Sequence, residues 1–390
     1  MAEIVFWILL ITVTYAYIGY PLIIAIVNTL TKSNTKKPVK PAQTDEPQVT
    51  LFIAAYNEIE FIDAKIRNSL SLNYPKDKIK FLWVTDGSND GTNLELKKYE
   101  NIQVLHRDER KGKIGAINRG MPHVNTPIVI FSDANSLLNK DAIKEIVKEF
   151  ADKKVGCVAG EKRIFAGDKD NAVNSGEGIY WKYESFIKSN ESKLSSVVGA
   201  VGELFAIRTE LFNIIEEDTI LDDLIISLRI ALKGYKIQYT PKAYATEKAS
   251  ANINEELKRK IRIAYGGFQA IGRLLPLLNP FRYPLLSFQY FSHKILRWAV
   301  VPFAILLLFP LNLYLAFVNN WQNLFSVLFF FQIIFYGLAL IGFMIRSKPI
   351  KNKALFAPYY IFIMNLSQIL GLVRFLSKKQ TVNWERAKRG

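Results

Sequence analysis

The sequence is poor in the residues that form disulfides and zinc sites. It has one cysteine, Cys157, and three scattered histidines among 390 residues. A single thiol cannot close an internal disulfide, and no cluster of cysteine and histidine has the spacing of zinc ligands. We therefore expect Cys157 to be a small buried residue and His106, His123 and His293 to be structural.

Two common nucleotide-binding motifs are also missing. No Gly-x-Gly-x-x-Gly follows the first predicted strand, and no Gly-Lys-Ser/Thr P-loop occurs. Both motifs work by letting backbone approach a diphosphate at the start of a helix. Their absence argues against a Rossmann dehydrogenase and against a P-loop nucleotidase.

The charge is strongly basic and unevenly distributed. Formal net charge is +16, and long uncharged blocks at both ends flank a charged middle. A basic chain suits either nucleic acid or an anionic membrane surface. Since the basic residues cluster beside the apolar blocks, we expect a lipid bilayer as partner and no nucleic acid.

Residues 1–31 predict a transmembrane anchor. No charge occurs between Glu3 and Lys32, a gap of 28 residues, which exceeds the roughly 20 needed to cross a bilayer. The start lacks the basic region of a cleaved signal peptide. Lysines follow in a linker over 32–48, so the positive-inside rule places the next domain in the cytoplasm.

A second apolar block predicts two more spans. From Trp298 to Ile345 there are 48 consecutive uncharged positions, interrupted only by the polar turn 319–323. We assign residues 293–345 to two transmembrane helices, which makes the chain multi-pass. Buried helices of a soluble protein are the alternative interpretation.

The carboxyl-terminal region, residues 346–390, combines a basic loop, a third apolar segment and a basic tail with Trp384. The apolar segment covers 354–373 and contains several polar residues. Spanning the membrane and lying in its interface are both compatible with this pattern.

The middle of the chain, residues 49–250, predicts an α/β domain. Short apolar runs bounded by turn residues alternate with amphipathic stretches, which indicates a mostly parallel sheet. The expected strands are 49–55, 80–85, 102–106 and 128–132, with a helix over 59–71. Residues 251–292 follow, and their basic and apolar positions predict amphipathic helices at the membrane interface.

Polar residues follow three of these strands. Asn57 and Glu58 follow the first, Asp86 follows the second, and Asp133 and Asn135 follow the fourth. In open sheets of this kind, ligands bind beyond the carboxyl ends of the strands. Each of these loops alone reads as an ordinary turn, but the three together predict a ligand site.

These motifs resemble, in order and spacing, those of family 2 glycosyltransferases with a GT-A fold. The resemblance covers about residues 48–265 and is to the membrane synthases of cellulose, hyaluronan, chitin oligosaccharides and poly-N-acetylglucosamine. The matching segments are Ala55-Tyr56-Asn57-Glu58, 86–92, 110–118, Asp133-Ala134-Asn135, and Leu221-Asp222-Asp223 followed by Arg229 and Gly234-Tyr235. The resemblance implies a hexosyl- or N-acetylhexosaminyltransferase of polysaccharide biosynthesis.

The resemblance also implies a nucleotide-sugar donor, with uridine diphosphate sugars as the expected donors. The residues that match donor-binding positions are Ala55, Tyr56, Asn57, Glu58, Asp86, Lys113 and Asp133. Asn57, Glu58 and Asp86 are expected to contact base and ribose. Lys113, beside a glycine, suits the diphosphate, although a solvated basic loop is the alternative interpretation.

Asp133 and Asn135 occupy the place of the family's Asp-x-Asp motif. There, the resemblance implies that Mg²⁺ or Mn²⁺ bridges the carboxylate and the diphosphate. Asn135 replaces the second aspartate, and an amide oxygen brings no charge. We therefore expect metal dependence with a weaker metal affinity.

Asp223 matches the last residue of the family's Thr-Glu-Asp motif, which implies a general base for an inverting transfer. Asp222 takes the preceding position and is expected to support Asp223 or raise its pKa. Capping of the helix through Lys233 is the alternative role for both aspartates.

The acceptor side departs from the family pattern. The family's Gln-x-x-Arg-Trp corresponds to Arg259-Lys260-Ile261-Arg262-Ile263, so one arginine is kept and the aromatic residue is lost. Trp384 is a candidate replacement. Trp181 and Glu203 resemble further acceptor-side residues, and packing beneath membrane helices is the alternative for them.

We thus expect transfer to a growing saccharide at the cytoplasmic membrane. Addition of a single sugar to a polyprenyl phosphate or glycolipid is a second possibility, and an inactive sugar-binding scaffold subunit is a third of another class. The length of the product distinguishes the first two, and donor hydrolysis excludes the third.

Overall fold

A computed structural model describes residues 1–31, 46–165, 172–248, 253–345 and 353–378. Trp384 and most of the predicted linker over 32–48 lie outside these residues, as does the start of the basic loop at 346.

One sheet forms the centre of the α/β domain. Its strands are β1 (Val49–Ala55), β2 (Ile79–Asp86), β3 (Gln103–Arg107), β4 (Ile128–Ser132), β5 (Leu137–Leu138), β6 (Val155–Ile164), β7 (Leu204–Arg208) and β8 (Lys236–Glu247). They lie in the order β3-β2-β1-β4-β7-β6-β8-β5. Strands β1 to β4 match the four expected from the sequence within two residues at each end.

The sheet is parallel on one side and mixed on the other. Strand β1 pairs in parallel with β2 and β4, and β2 pairs in parallel with β3. Strand β7 runs antiparallel to both β4 and β6, while β6 and β8 are parallel and the short β5 is antiparallel to β8. The expected α/β fold is confirmed, with a mixed second half that the sequence pattern did not predict.

Helices cover both faces of the sheet. Those of the α/β domain are α3 (Ile59–Leu70), α4 (Thr92–Leu96), α5 (Gly112–Gly120), α6 (Ala142–Glu149), α7 (Ala172–Leu194) and α8 (Asp222–Leu232). Helices α5 and α8 pack on one face and α3 and α6 on the other. Every residue of β1 is therefore buried, as expected for a strand covered on both sides.

The remaining helices are apolar or amphipathic. They are α1 (Ala2–Thr14), α2 (Tyr20–Thr31), α9 (Ile253–Arg273), α10 (Pro284–Tyr290), α11 (Val301–Val318), α12 (Leu324–Met344) and α13 (Lys353–Leu376). A π-helical turn over Tyr15–Gly19 joins α1 to α2, and another over Phe291–Val300 joins α10 to α11. The sequence boundary at 292–293 lies inside this second continuous helix.

Among the residues that the structure describes, four helical segments are long and apolar enough to cross a membrane. They are Ala2–Thr31, Pro284–Val318, Leu324–Met344 and Ala357–Leu376. Many of their large apolar side chains are exposed, as they must be where lipid is the solvent. The last segment packs closely on α9, since a Cβ at Gly371 would lie 2.4 Å from that of Ala264.

The first membrane segment is joined to α7 by buried polar contacts. The Tyr20 hydroxyl donates to Glu191 Oε1 at 2.5 Å, and Asn28 Nδ2 donates to the Asn190 carbonyl at 2.7 Å. Tyr20 also packs with Ile187 in an apolar cluster. The segment is thus packed against the α/β domain.

Candidate active site

A small pocket lies at the carboxyl ends of β1 and β2. Its lining residues are Ala54, Ala55, Tyr56, Asp86, Arg110, Gly112, Lys113 and Ala116. It therefore brings together four of the residues predicted to bind the donor. The Arg110 guanidinium lies over the Tyr56 ring, 3.7 Å from its centroid. We call this the donor pocket.

Asp86 holds the loop that closes the donor pocket. Its carboxylate accepts hydrogen bonds from the backbone N–H of Lys111 at 3.0 Å and of Gly112 at 2.6 Å. Gly112 has a φ of 80°, which favours glycine. Burial raises the pKa of Asp86, and these two hydrogen bonds offset part of that rise.

Asn57 and Glu58 lie beside the donor pocket but not among its lining residues. Asn57 Nδ2 donates to Asn89 Oδ1 at 2.9 Å, and the Glu58 backbone N–H donates to Thr92 Oγ1 at 3.0 Å. Both residues therefore join the loops that follow β1 and β2. Sequence reasoning grouped them with Asp86 because all three follow strands.

Lys113 lies between the donor pocket and the carboxylates. Its Nζ is 3.0 Å from Asp133 Oδ1 and 3.2 Å from Asp222 Oδ2. Burial alone would lower the pKa of Lys113, but Asp133, Asp222 and Asp223 raise it above its usual value. Lys113 is thus a fixed positive charge among three aspartates.

Asp223 lies in the first turn of α8. Leu221 is the N-cap residue, so neither aspartate takes the capping position that was the alternative role. Asp223 Oδ1 accepts from the Leu224 N–H at 2.9 Å. A Cβ atom at Gly202 would lie 3.5 Å from Asp223 Oδ2, so the glycine leaves space beside this oxygen.

The electrostatic surroundings suit Asp223 to take up a proton near neutral pH. Burial raises its pKa, Asp222 raises it further, and Lys113 lowers it, with a result of about 7. A carboxylate in such a position is a candidate general base.

Lys65 supports the loop that carries Asp133, and the sequence analysis did not single it out. Its buried Nζ donates to Ser132 Oγ at 2.7 Å and to the Ser136 carbonyl at 2.6 Å. Burial lowers the pKa of Lys65 to about 7, although Asp133 acts in the opposite direction. A lysine beside Ile66 on the apolar face of α3 was the signal available in the sequence.

A larger cavity of about 240 Å³ opens from the same carboxylates. Asp133, Glu203 and Asp223 line it together with residues of α7, α9 and the membrane segments. A small recess lies between this cavity and the donor pocket, since it shares Asp133 with the cavity and Lys113 with the donor pocket. We call the larger space the acceptor cavity.

Glu203 belongs to a buried ion cluster. Lys162 bridges Glu203 and Glu247, and its side chain is fully buried. Burial alone would raise the pKa of Glu203, but Lys162 and then Arg259 lower it to about 2. The Trp181 ring lies 5.1 Å from Lys162 Nζ and also lines the acceptor cavity.

The predicted acceptor residues are brought together only in part. Arg259 lines the acceptor cavity and its Nε donates to Glu256 Oε2 at 3.1 Å. Ile263, which replaces the family's tryptophan, also lines it, whereas Arg262 is not among the lining residues. Trp384 lies outside the described residues.

Several cavity residues were missed because they come from distant helices. They are Tyr17, Glu184, Lys188, Lys294, Arg297, Asn365 and Gln368. Their sequence positions reach from the first membrane segment to the last, so no local motif contains them.

The metal-binding residues are sparse. Within the part of the chain that the structure describes, no three His, Cys, Asp or Glu side chains are grouped as metal ligands. Asp133 offers a carboxylate, and Asn135 follows it in a turn. One carboxylate and one amide oxygen are hard donors that fit Mg²⁺ or Mn²⁺ when a diphosphate supplies further oxygens.

The fold and this site define a class of protein. The structure combines a GT-A-like mixed sheet, a pocket at its strand ends and a carboxylate that faces a second cavity. Residues 50–215 match the family model described as glycosyl transferase family 2. The chain therefore carries a domain that is similar to glycosyl transferase family 2.

Two curated relatives are similar to this chain. A poly-beta-1,6-N-acetyl-D-glucosamine synthase of Staphylococcus aureus (strain COL) is 28% identical over 280 residues, which cover 69% of this chain and 66% of the relative. The synthase of that name from Staphylococcus epidermidis is 26% identical over 244 residues, or 60% of this chain and 58% of the relative. The match thus spans less than two thirds of these relatives.

A solved structure shares the fold over nearly the whole chain. It is a mannosyltransferase from Pyrobaculum calidifontis in complex with GDP-Man and Mn²⁺, 24% identical, with a TM-score of 0.71. The similarity covers 97% of this chain and 100% of that one. The likeness therefore includes the helices outside the family 2 domain.

Proposed function

We propose that the chain is an inverting glycosyltransferase of polysaccharide or oligosaccharide synthesis. It moves a sugar from a nucleoside-diphosphate sugar, with uridine diphosphate sugars as first candidates, to a saccharide acceptor. Asp223 is the general base. The synthases among its relatives support the saccharide product.

The observation that carries the proposal is the position of Asp223. It faces the acceptor cavity, and Lys113 links it to the donor pocket. A general base works best when its pKa is near the operating pH, and the pKa of Asp223 is about 7.

The reaction has one step. The acceptor hydroxyl oxygen attacks the anomeric carbon of the donor sugar and gives its proton to Asp223. The bond from that carbon to the diphosphate breaks, and the nucleoside diphosphate leaves with the electron pair. Attack from the opposite face inverts the anomeric centre, and no covalent enzyme intermediate forms.

A divalent cation fits the Asp133 side of the site. Asp133 and Asn135 would hold Mg²⁺ or Mn²⁺, which would neutralise charge on the departing diphosphate. Lys113 already supplies one positive charge at this place. We therefore expect weak metal binding and activity that chelator reduces.

We also propose that the catalytic domain lies on the cytoplasmic side. Lysines follow the first apolar segment at 32–40, and basic residues follow the third segment after 345. Both positions are cytoplasmic when the amino terminus is outside.

Purified protein incubated with a panel of uridine- and guanosine-diphosphate sugars tests the proposal, with products analysed by mass. Asp223→Asn should lower transfer by about 10²–10⁴-fold and leave donor binding largely intact, because only the proton acceptor is lost.

The matched control is Glu217→Gln, which neutralises an exposed carboxylate six residues earlier. It should transfer at the wild-type rate. Full transfer by Asp223→Asn would refute the assignment of the base, and absence of donor consumption by wild-type protein would refute the function.

Product length separates two acceptor types. A polymer made from donor alone supports the synthase, whereas one added sugar supports transfer to a polyprenyl phosphate or glycolipid. The second candidate is supported by Lys188 and Lys294, which line the acceptor cavity.

A further inference from the structure

The acceptor cavity contains a buried lysine that forms no ion pair with the residues that the structure describes. Lys188 is 6% exposed and lines the cavity. Its ammonium has no hydrogen bond or ion pair with the residues that the structure describes. It lies on the same face of α7 as Trp181 and Glu184, since these positions are seven and four residues apart.

The two buried carboxylates within one turn of Lys188 on α7, Glu184 and Glu191, are already engaged. Glu191 accepts from the Tyr20 hydroxyl and faces His293 Nδ1. The Glu184 carboxylate accepts from Arg297 Nη1 at 2.7 Å and faces His293 Nε2 at 3.2 Å. Lys294 Nζ is 4.0 Å from the same carboxylate, at the limit of an ion pair. The Glu184 carboxylate is therefore shared by Arg297 and Lys294, and Lys188 adds another positive charge to the cavity.

A buried cation without a partner is costly, and a bound anion removes that cost. The donor diphosphate is not the obvious candidate, because Lys188 and Lys294 line neither the donor pocket nor the recess beside Asp133. An anion here belongs to whatever occupies the acceptor cavity.

The same cavity also offers partners for a sugar. The Trp181 indole N–H and Gln368 Oε1 are buried and have no hydrogen-bond partner in the described structure. A donor and an acceptor of this kind suit saccharide hydroxyls, and the indole ring offers an apolar surface for a sugar face.

The cavity lies where membrane segments meet the catalytic domain. Tyr17 comes from the first membrane segment, Lys294 from the second and Asn365 from the last. A molecule seated here contacts the catalytic carboxylates and the membrane helices together, which suits an acceptor with a saccharide part and a lipid part.

We propose that the acceptor carries a phosphate group and that Lys188 and Lys294 bind this phosphate while Trp181 and Gln368 contact its sugar. The inference rests on the proposed function and names the acceptor class of the same site. Lysine ammonium groups bind phosphate as point charges, through charge-assisted hydrogen bonds.

Equilibrium binding to the full chain in lipid nanodiscs tests the proposal. The probes are farnesyl phosphate, farnesol and glucose 6-phosphate. We expect farnesyl phosphate to bind at least about tenfold more tightly than farnesol, because the phosphate meets two charged donors. Lys188→Gln should remove this preference, and Lys294→Gln should reduce it.

Two further variants separate charge from folding. Lys188→Arg keeps the positive charge and should retain the preference for phosphate. Lys182→Gln removes an exposed lysine of the same helix and should bind as the wild type does. Wild-type affinity in Lys188→Gln, or equal binding of farnesyl phosphate and farnesol, would overturn the proposal.

The third probe identifies the source of the phosphate. Displacement of farnesyl phosphate by glucose 6-phosphate at equal concentration would assign the phosphate to a saccharide, and weak displacement would assign it to a lipid. Donor consumption is measured on the same samples. If donor is consumed without any preference for phosphate, only this inference fails, whereas absence of consumption overturns the glycosyltransferase proposal.

Discussion

The donor pocket and the acceptor cavity differ in how the chain builds them. Every lining residue of the donor pocket lies between Ala54 and Ala116, at the ends of β1 and β2, in the loops that follow β1 and β3, or on α5. The acceptor cavity takes residues from Tyr17 to Gln368. The donor pocket is formed at the ends of strands, whereas the acceptor cavity forms only when the membrane segments pack on the catalytic domain.

Lys113 is the residue at which the two regions meet. It lines the donor pocket and lies within 3.2 Å of Asp222, which precedes the residue that faces the acceptor cavity. Changes at Lys113 should therefore affect both regions.

Among the changes that compare the two regions, the largest effect is expected from Lys113→Met. Loss of the ammonium leaves Asp133, Asp222 and Asp223 without their shared cation and should lower the transfer rate by roughly 10²–10³-fold. It should also raise the pKa of Asp223, which Lys113 holds down. Single-turnover rates measured against pH report both changes.

Lys111→Met is the control, since the Lys111 ammonium is 3.8 Å from an exposed glutamate and not near the three aspartates. A control as inactive as Lys113→Met would mean that general loss of positive charge, rather than the aspartate cluster, explains the effect.

The next effect is the pH dependence of the wild-type enzyme. Asp223 accepts a proton only when ionised, so the rate should fall about tenfold per pH unit below its pKa of about 7 and level off above it. Rates from pH 5 to 9 at saturating donor measure this. A flat profile through pH 7 would contradict Asp223 as the base.

A smaller effect is expected where α9 meets the segment before Asp222. A Cβ at Gly266 would lie 2.7 Å from Leu221 Cγ and 2.9 Å from Ile220 Cβ. Gly266→Ala should destabilise the fold by about 1–3 kcal/mol through overpacking and reduce transfer, because Leu221 adjoins the aspartates. Thermal unfolding in detergent measures the first effect.

Gly272→Ala is the matched control on the same helix. No atom lies within 4 Å of its Cβ position, so alanine should be neutral or stabilise by about 0.5–1 kcal/mol. Equal melting temperatures for the two variants would contradict the close packing at Gly266.

The smallest effect is expected from Trp181→Phe. The ring surface remains and only the indole N–H is lost, so the acceptor KM should rise about three- to tenfold while kcat is nearly unchanged. Lack of any change in KM would mean that the indole N–H does not contact the acceptor, and a loss of kcat alone would indicate a role in the chemical step.

The contrast between the two regions also explains what the sequence could predict. Strands β1 to β4 and the positions of Asp86 and Asp133 at strand ends follow from patterns of a few residues. Asp223 was singled out by its match to a family motif instead. The antiparallel return of β7 could not be predicted, since the short run Leu204–Arg208 carries no sign of direction.

The acceptor side was predicted less completely for a physical reason. Lys188 and Lys294 are ordinary helix lysines in the sequence, and only the packing of α7 against the second membrane segment brings them to one cavity. Arg262 was expected at the acceptor because it matches the arginine of the family's motif. It does not line the cavity, whereas its neighbour Ile263 does.

The buried contacts of the first membrane segment set a limit on how the enzyme can be handled. A fragment that begins after residue 45 would lack Tyr20, whose hydroxyl donates to Glu191 Oε1. Of the two groups that hydrogen-bond to this oxygen in the described structure, only His293 would remain. It would also expose Ile187 to water. The catalytic unit therefore cannot be released as a soluble piece by cutting the linker, and amphiphile has to accompany it through purification and assay.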